Sequence, residues 1–101
     1  MIDSRSTIGR SYGIADPTTL GAIIRAVRIG AGLTQHDAAE LCGVSAPFLN
    51  GVERGKPTAQ IGPILMVCTA LGIRLEAAGP SPLPTDLASI PRRKPRRRKK
   101  L

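Results

Sequence analysis

Apolar residues along this chain recur with the period of a helix in four successive stretches, and capping or breaking residues separate them. In the first stretch Leu20, Ile23, Ile24 and Val27 fall at i, i+3, i+4 and i+7, the spacing of one buried helical face. Asp16 and Pro17 stand ahead of it as an N-cap and a proline at the first helical position. Arg25 and Arg28 lie near the edges of that face, and Gly30 and Gly32 end the helix before Leu33. In the second stretch Thr34 and Asp37 have the spacing of a capping box, and Ala38, Leu41 and Cys42 share one face. Gly43 stands where a helix stops on a residue with positive φ. Ser45 caps the third stretch, Pro47 sits in its first turn, Leu49 and Val52 point inward, and Gly55 closes it. Residues 57–62 are a connector or a frayed first turn. Ile64, Leu65, Cys68 and Leu71 then form the stripe of the fourth helix, with Pro63 in its first turn and Gly72 at its end. After it the period changes: Ile73, Arg74, Leu75, Glu76 and Ala77 alternate apolar with charged, which predicts a short strand.

These elements fill residues 16–79. Residues 1–15 are polar and glycine-spaced and read as a loosely ordered N-terminal arm, from which Ile8 and Tyr12 can reach the domain. Pro80, Pro82 and Pro84 forbid regular structure, so residues 80–101 read as a disordered basic tail. A chain of 101 residues holds one small domain, marginal alone and stabilised by oligomerisation. Its aromatic residues are Tyr12 and Phe48, so the core is aliphatic. The N-terminus lacks a signal-peptide core and no apolar run has the length of a membrane span; a cytoplasmic protein is expected.

The formal charge of +8 suggests a basic domain, but its distribution says otherwise. Arg92, Arg93, Lys94, Arg96, Arg97, Arg98, Lys99 and Lys100 carry the whole excess, and residues 1–91 are formally neutral. The tail attracts any polyanion; non-specific DNA contact is the favoured reading, beside an acidic partner, RNA, or plain solubilising charge. Cys42 and Cys68 form no C-x-x-C pair, and His36 is the single histidine, so no metal site is expected and both thiols read as core residues. No nucleophile–base pair, glycine-rich phosphate loop or paired carboxylate appears, so neither an enzyme nor a cofactor is expected.

The second and third helices, joined by a tight turn, have the spacing of a helix-turn-helix: Gln35, small Ala39, Gly43 at the turn, then Leu49. Ala39 lets the two helices approach closely. Together with Val44, Val52 and the run Glu53, Arg54, Gly55 and Lys56, this resembles the Cro/CI (XRE) family of repressors over residues 16–78. The resemblance implies an all-α, lambda-repressor-like helix-turn-helix domain of four to five helices that binds double-stranded DNA. It places the third helix in the major groove, with Ser45, Ala46, Pro47, Phe48 and, one turn on, Gly51 toward the bases. Ala, Pro and Gly cannot hydrogen-bond base edges, so direct readout is expected to be sparse and DNA shape to carry more of the specificity. Ser45 serves as cap, as contact, or as both. The resemblance gives Gln35 a phosphate contact at a helix N-terminus, with His36 beside it. Asn50, Arg54 and Lys56 are read as further phosphate contacts. Arg28 and Glu53 resemble a structural ion pair of phage repressors and are assigned to stability.

The strand after the fourth helix departs from the plain repressor domain. With residues 55–59 and the helix to Leu71, it is similar to the HipB-type antitoxins, in which a short C-terminal strand pairs across a dimer. That likeness implies a homodimer on a palindromic operator, and a HipA-type kinase toxin as partner. The rivals are a stand-alone regulator of the same fold and an RNA-binding factor that uses the tail.

Overall fold

The computed structural model describes residues 11–81 and 85–90. Among the described residues four α-helices carry the fold: α1 (Pro17–Gly30), α2 (Gln35–Cys42), α3 (Ala46–Glu53) and α4 (Ile61–Ala70). The first three start on side-chain caps. Asp16 accepts from the Thr19 N–H at 2.8 Å, Thr34 from Asp37 at 3.0 Å, and Ser45 from Phe48 at 3.1 Å. Each cap satisfies one of the donors that a helix start leaves open. Hydrogen bonds from Thr19 hold the Asp16 carboxyl below its usual value.

All four helices end in one way. A glycine with positive φ (Gly32, Gly43, Gly55 or Gly72) turns the chain back. The N–H of the next residue then reaches a carbonyl five positions earlier: Leu33 to Arg28, Val44 to Ala39, Lys56 to Gly51 and Ile73 to Cys68, at 2.8–3.1 Å. This is the Schellman ending, which recovers carbonyls that the helix cannot use.

The core is aliphatic, as composition requires. Ile24, Leu49, Val67 and Cys68 are fully buried, with Ala38, Ala39, Cys42, Val52 and Ile64 around them. Helix α3 is held against α1 and α2, and α4 closes the other side of α2. Two small residues permit this. Ala39 is 2% exposed in α2. Gly21 in α1 lies so close to the end of α3 that an added Cβ would stand 2.2 Å from the Val52 carbonyl oxygen.

Two expected buried faces need correction. Leu41, placed by spacing on the inner face of α2, is 60% exposed. In α4 the inward residues are Ile64, Val67 and Cys68, whereas Leu65 is 45% exposed. Residues 73–77 form no strand within the single chain, because a ladder needs a partner and no described residue supplies one. The alternation still has its effect: Arg74 and Glu76 share a side and form an exposed ion pair at 2.5 Å. Leu87–Ser89 form one 3-10 turn inside the stretch expected to lack regular structure, opened by Asp86, which accepts from the Ala88 N–H. Tyr12 is exposed and not packed on the domain. Ile8 and the basic residues 92–100 lie outside the described residues.

Candidate nucleic-acid interface

The surface around α3 is built on one buried ion pair. Arg28, on the last turn of α1, donates from Nε to Glu53 Oε2 at 2.6 Å and from Nη2 to Glu53 Oε1 at 2.9 Å. Its Nη1 donates to the Leu33 carbonyl at 2.9 Å, so one guanidinium ties the turn before α2 to the end of α3. Burial pushes the Glu53 carboxyl upward, but the hydrogen bonds from Arg28 and Gln35, and the charges of Arg28 and Arg25, outweigh it and hold the carboxyl below its usual value. The same hydrogen bond raises the Arg28 value, so both partners stay charged.

Gln35 extends this pair toward the surface. Its Nε2 donates to Glu53 Oε1 at 3.0 Å and to Asn50 Oδ1 at 3.2 Å. A primary amide has two N–H donors, and both now face α3. The side chain of Gln35 therefore orients Asn50, and what it leaves for a phosphate is the open backbone N–H groups at the start of α2. Asn50 is oriented in turn. With Oδ1 taken by Gln35, its amide nitrogen keeps two donors for an acceptor outside the protein. These two bonds, both donated by Gln35, could not be read from sequence spacing, because they join residues 15 and 18 apart.

The remaining candidates divide by exposure. His36, Ser45, Pro47, Arg54 and Lys56 are exposed. Ser45 caps α3 through its oxygen, and its hydroxyl proton remains free to donate. Ala46 and Phe48 are half-buried and packed against the core, so they support α3 more than they extend from it. Gly21 was not singled out by sequence, although a glycine inside a helix costs about 1 kcal/mol and thereby signals a close approach. Burial raises both thiols, Cys42 and Cys68, above their usual value, in keeping with core residues. Among the described residues no helix is long and apolar enough to cross a membrane.

Residues 19–78 match the family described as a helix-turn-helix domain. The uncharacterized HTH-type transcriptional regulator y4mF of Sinorhizobium fredii is 40% identical over 67 residues, which are 66% of this chain and 88% of that protein. Among solved structures, HipB in its complex with the O4 20mer superposes with a TM-score of 0.63 at 18% identity, over 70% of this chain and 100% of that one. HipB in the HipA–HipB–O2–O3 complex gives the same values. The restriction-modification controller protein C.AhdI from Aeromonas hydrophila is 36% identical with a TM-score of 0.53, over 58% of this chain and 86% of that one.

Proposed function

The chain belongs to the helix-turn-helix family of DNA-binding transcriptional regulators, of the XRE type, and from that premise we propose that it is a sequence-specific repressor which binds a palindromic operator as a homodimer in the cytoplasm. The observation that carries this reading is the linked set Arg28, Glu53, Gln35 and Asn50. It fixes α3 and leaves the Asn50 amide donors without a partner among the described residues, beside exposed Ser45, Pro47, Arg54 and Lys56. The N-terminal arm of residues 1–15 and the tail of residues 80–101 flank this domain, and the tail adds sequence-independent attraction to phosphates.

The finer role proposed is that of a HipB-type antitoxin, which represses its own operon and restrains a HipA-type kinase. Two things support it: the fold likeness spans the whole HipB chain, and residues 73–77 alternate without a mate in the described part of one chain. The second reading is a regulator without a toxin. It is favoured by the higher identity to C.AhdI. Co-purification from the native host distinguishes them, since a kinase-like protein should follow the antitoxin and not the stand-alone regulator.

Pro47→Glu tests the interface itself. The residue is exposed in the first turn of α3, where a carboxylate suits the helix dipole and leaves the fold intact. Facing phosphates, the same carboxylate should abolish binding to the duplex upstream of the gene, read by fluorescence anisotropy. Unchanged affinity in a folded variant would place the interface elsewhere.

A further inference from the structure

At the four helix ends the chain uses one device, and one end differs in the residue that closes it. After α1, α2 and α4 the closing residue is apolar, Leu33, Val44 or Ile73, and packs against the core. Such a contact onto the last turn usually accompanies a Schellman ending. After α3 the closing residue is Lys56. Its N–H is held by the Gly51 carbonyl at 3.0 Å, and its stem lies over Gly51: a Cβ placed on that glycine would meet Lys56 Cδ at 3.5 Å and Cβ at 3.8 Å. The aliphatic part of the lysine thus covers the face of α3 that residue 51 leaves bare. Lys56 makes no ion pair among the described residues.

Pro47 and Gly51, one turn apart on α3, line the same open concavity as Lys56, together with Phe48 and Gln60. Its volume of about 240 Å³ falls below the range of about 300–1,000 Å³ usual for a small-molecule site. It faces the side that the proposed function assigns to the major groove. There Ala46, Pro47 and Gly51 offer no hydrogen-bonding side chain.

We propose that Lys56, laid across Gly51 by the Schellman turn, is a specificity-determining residue that reads a guanine in the major groove in place of a side chain from α3. The inference rests on the DNA-binding reading of α3 and deepens it. An ammonium group can bridge O6 and N7 of guanine, whereas the same edge of adenine places an amino donor where O6 would be and repels it. Gly51 is required because a large side chain there would displace the lysine stem. The turn is required because a lysine on a free loop would contact phosphate at any sequence.

The test is selection of binding sites from a randomised duplex pool with the full chain, comparing wild type, Lys56→Ala and Lys56→Arg. Wild type should select one G·C pair per half-site that Lys56→Ala no longer selects, with preferences elsewhere unchanged. On that single pair the alanine variant should lose a discrimination of roughly tenfold or more. Lys56→Arg should restore it, since the guanidinium makes the same bidentate pairing. Helical circular dichroism should match in all three and melting should stay close, because the residue is exposed and its backbone N–H, which every variant keeps, closes the turn. If Lys56→Ala weakens binding to every sequence equally, lowers the salt slope by about 0.9 and leaves the consensus intact, the residue is a phosphate contact and the inference fails. If wild type selects no sequence at all, the DNA-binding reading of α3 falls, and this one with it.

Discussion

Glu53 is the residue on which fold and interface both depend. Its side chain is 1% exposed and accepts from Arg28 and Gln35. Glu53→Ala should cost about 3–5 kcal/mol, because it strands a buried guanidinium. Chemical denaturation reads this directly. Replacing both partners at once, Arg28→Met with Glu53→Leu, should leave stability near that of wild type. It should still weaken operator binding several-fold, because Gln35 then loses one of its two acceptors and Asn50 its fixed orientation. That pairing of results separates packing from positioning. The pH dependence has a defined sign. The folded carboxyl titrates below its usual 4.5, so its stabilisation is present above 4.5 and is lost as pH falls through the lower folded value. Glu53→Gln should flatten the acid limb of the stability curve. An equally steep acid limb in that variant would move the effect to other carboxylates, Asp16 among them.

Among the helices, α1 against α3 is the contact with least tolerance. Gly21→Ala would put a methyl 2.2 Å from the Val52 carbonyl oxygen and 2.9 Å from that of Glu53, both backbone atoms that cannot swing aside. We expect a loss of about 1–3 kcal/mol, the usual cost of overpacking, despite alanine's better helix propensity. A variant that melts higher than wild type would show that the helices can part without cost. The helix starts and ends were legible in the sequence because caps and glycines act locally: Asp16, Thr34, Ser45 and the four terminal glycines stand where spacing put them. Which face turns inward was less legible. Helix α4 is apolar at Ile61, Ile64, Leu65, Met66, Val67 and Cys68, so periodicity could not choose between Leu65 and Val67, and tertiary packing chose Val67. Helix α2 has eight residues, too few for one misplaced leucine, Leu41, to stand out. At the interface the candidate residues were proposed from the helix-turn-helix spacing. The pairing of Gln35 with Asn50 and the stem of Lys56 over Gly51 were not, because both depend on how the chain folds back on itself.

At the scale of the whole molecule, residues 73–77 are the segment that a second copy would complete. The Ile73 N–H is used by Cys68, and beyond it no backbone group of residues 74–77 has a backbone partner among the described residues. A segment whose backbone N–H and C=O groups lack partners is a template for pairing. Antiparallel pairing with the same segment of a second copy about a two-fold axis would satisfy it and keep Arg74 and Glu76 on the wet side. Ile73 is already half-buried against the core, and Leu75 remains 39% exposed, which leaves an apolar residue for the seam to cover. The half-exposed Leu65 and Met66 of α4 offer further apolar surface to a second domain. Such a dimer would present two copies of α3 to half-sites about one helical turn apart, or a multiple of that, and so require a palindrome. Leu75→Pro removes a ladder donor and bends the strand without entering the helical core. It should give a monomer by sedimentation with helical content intact, and operator affinity should fall sharply because each monomer holds one half-site. If wild type is itself monomeric at micromolar concentration and still binds a palindrome tightly, the seam is wrong.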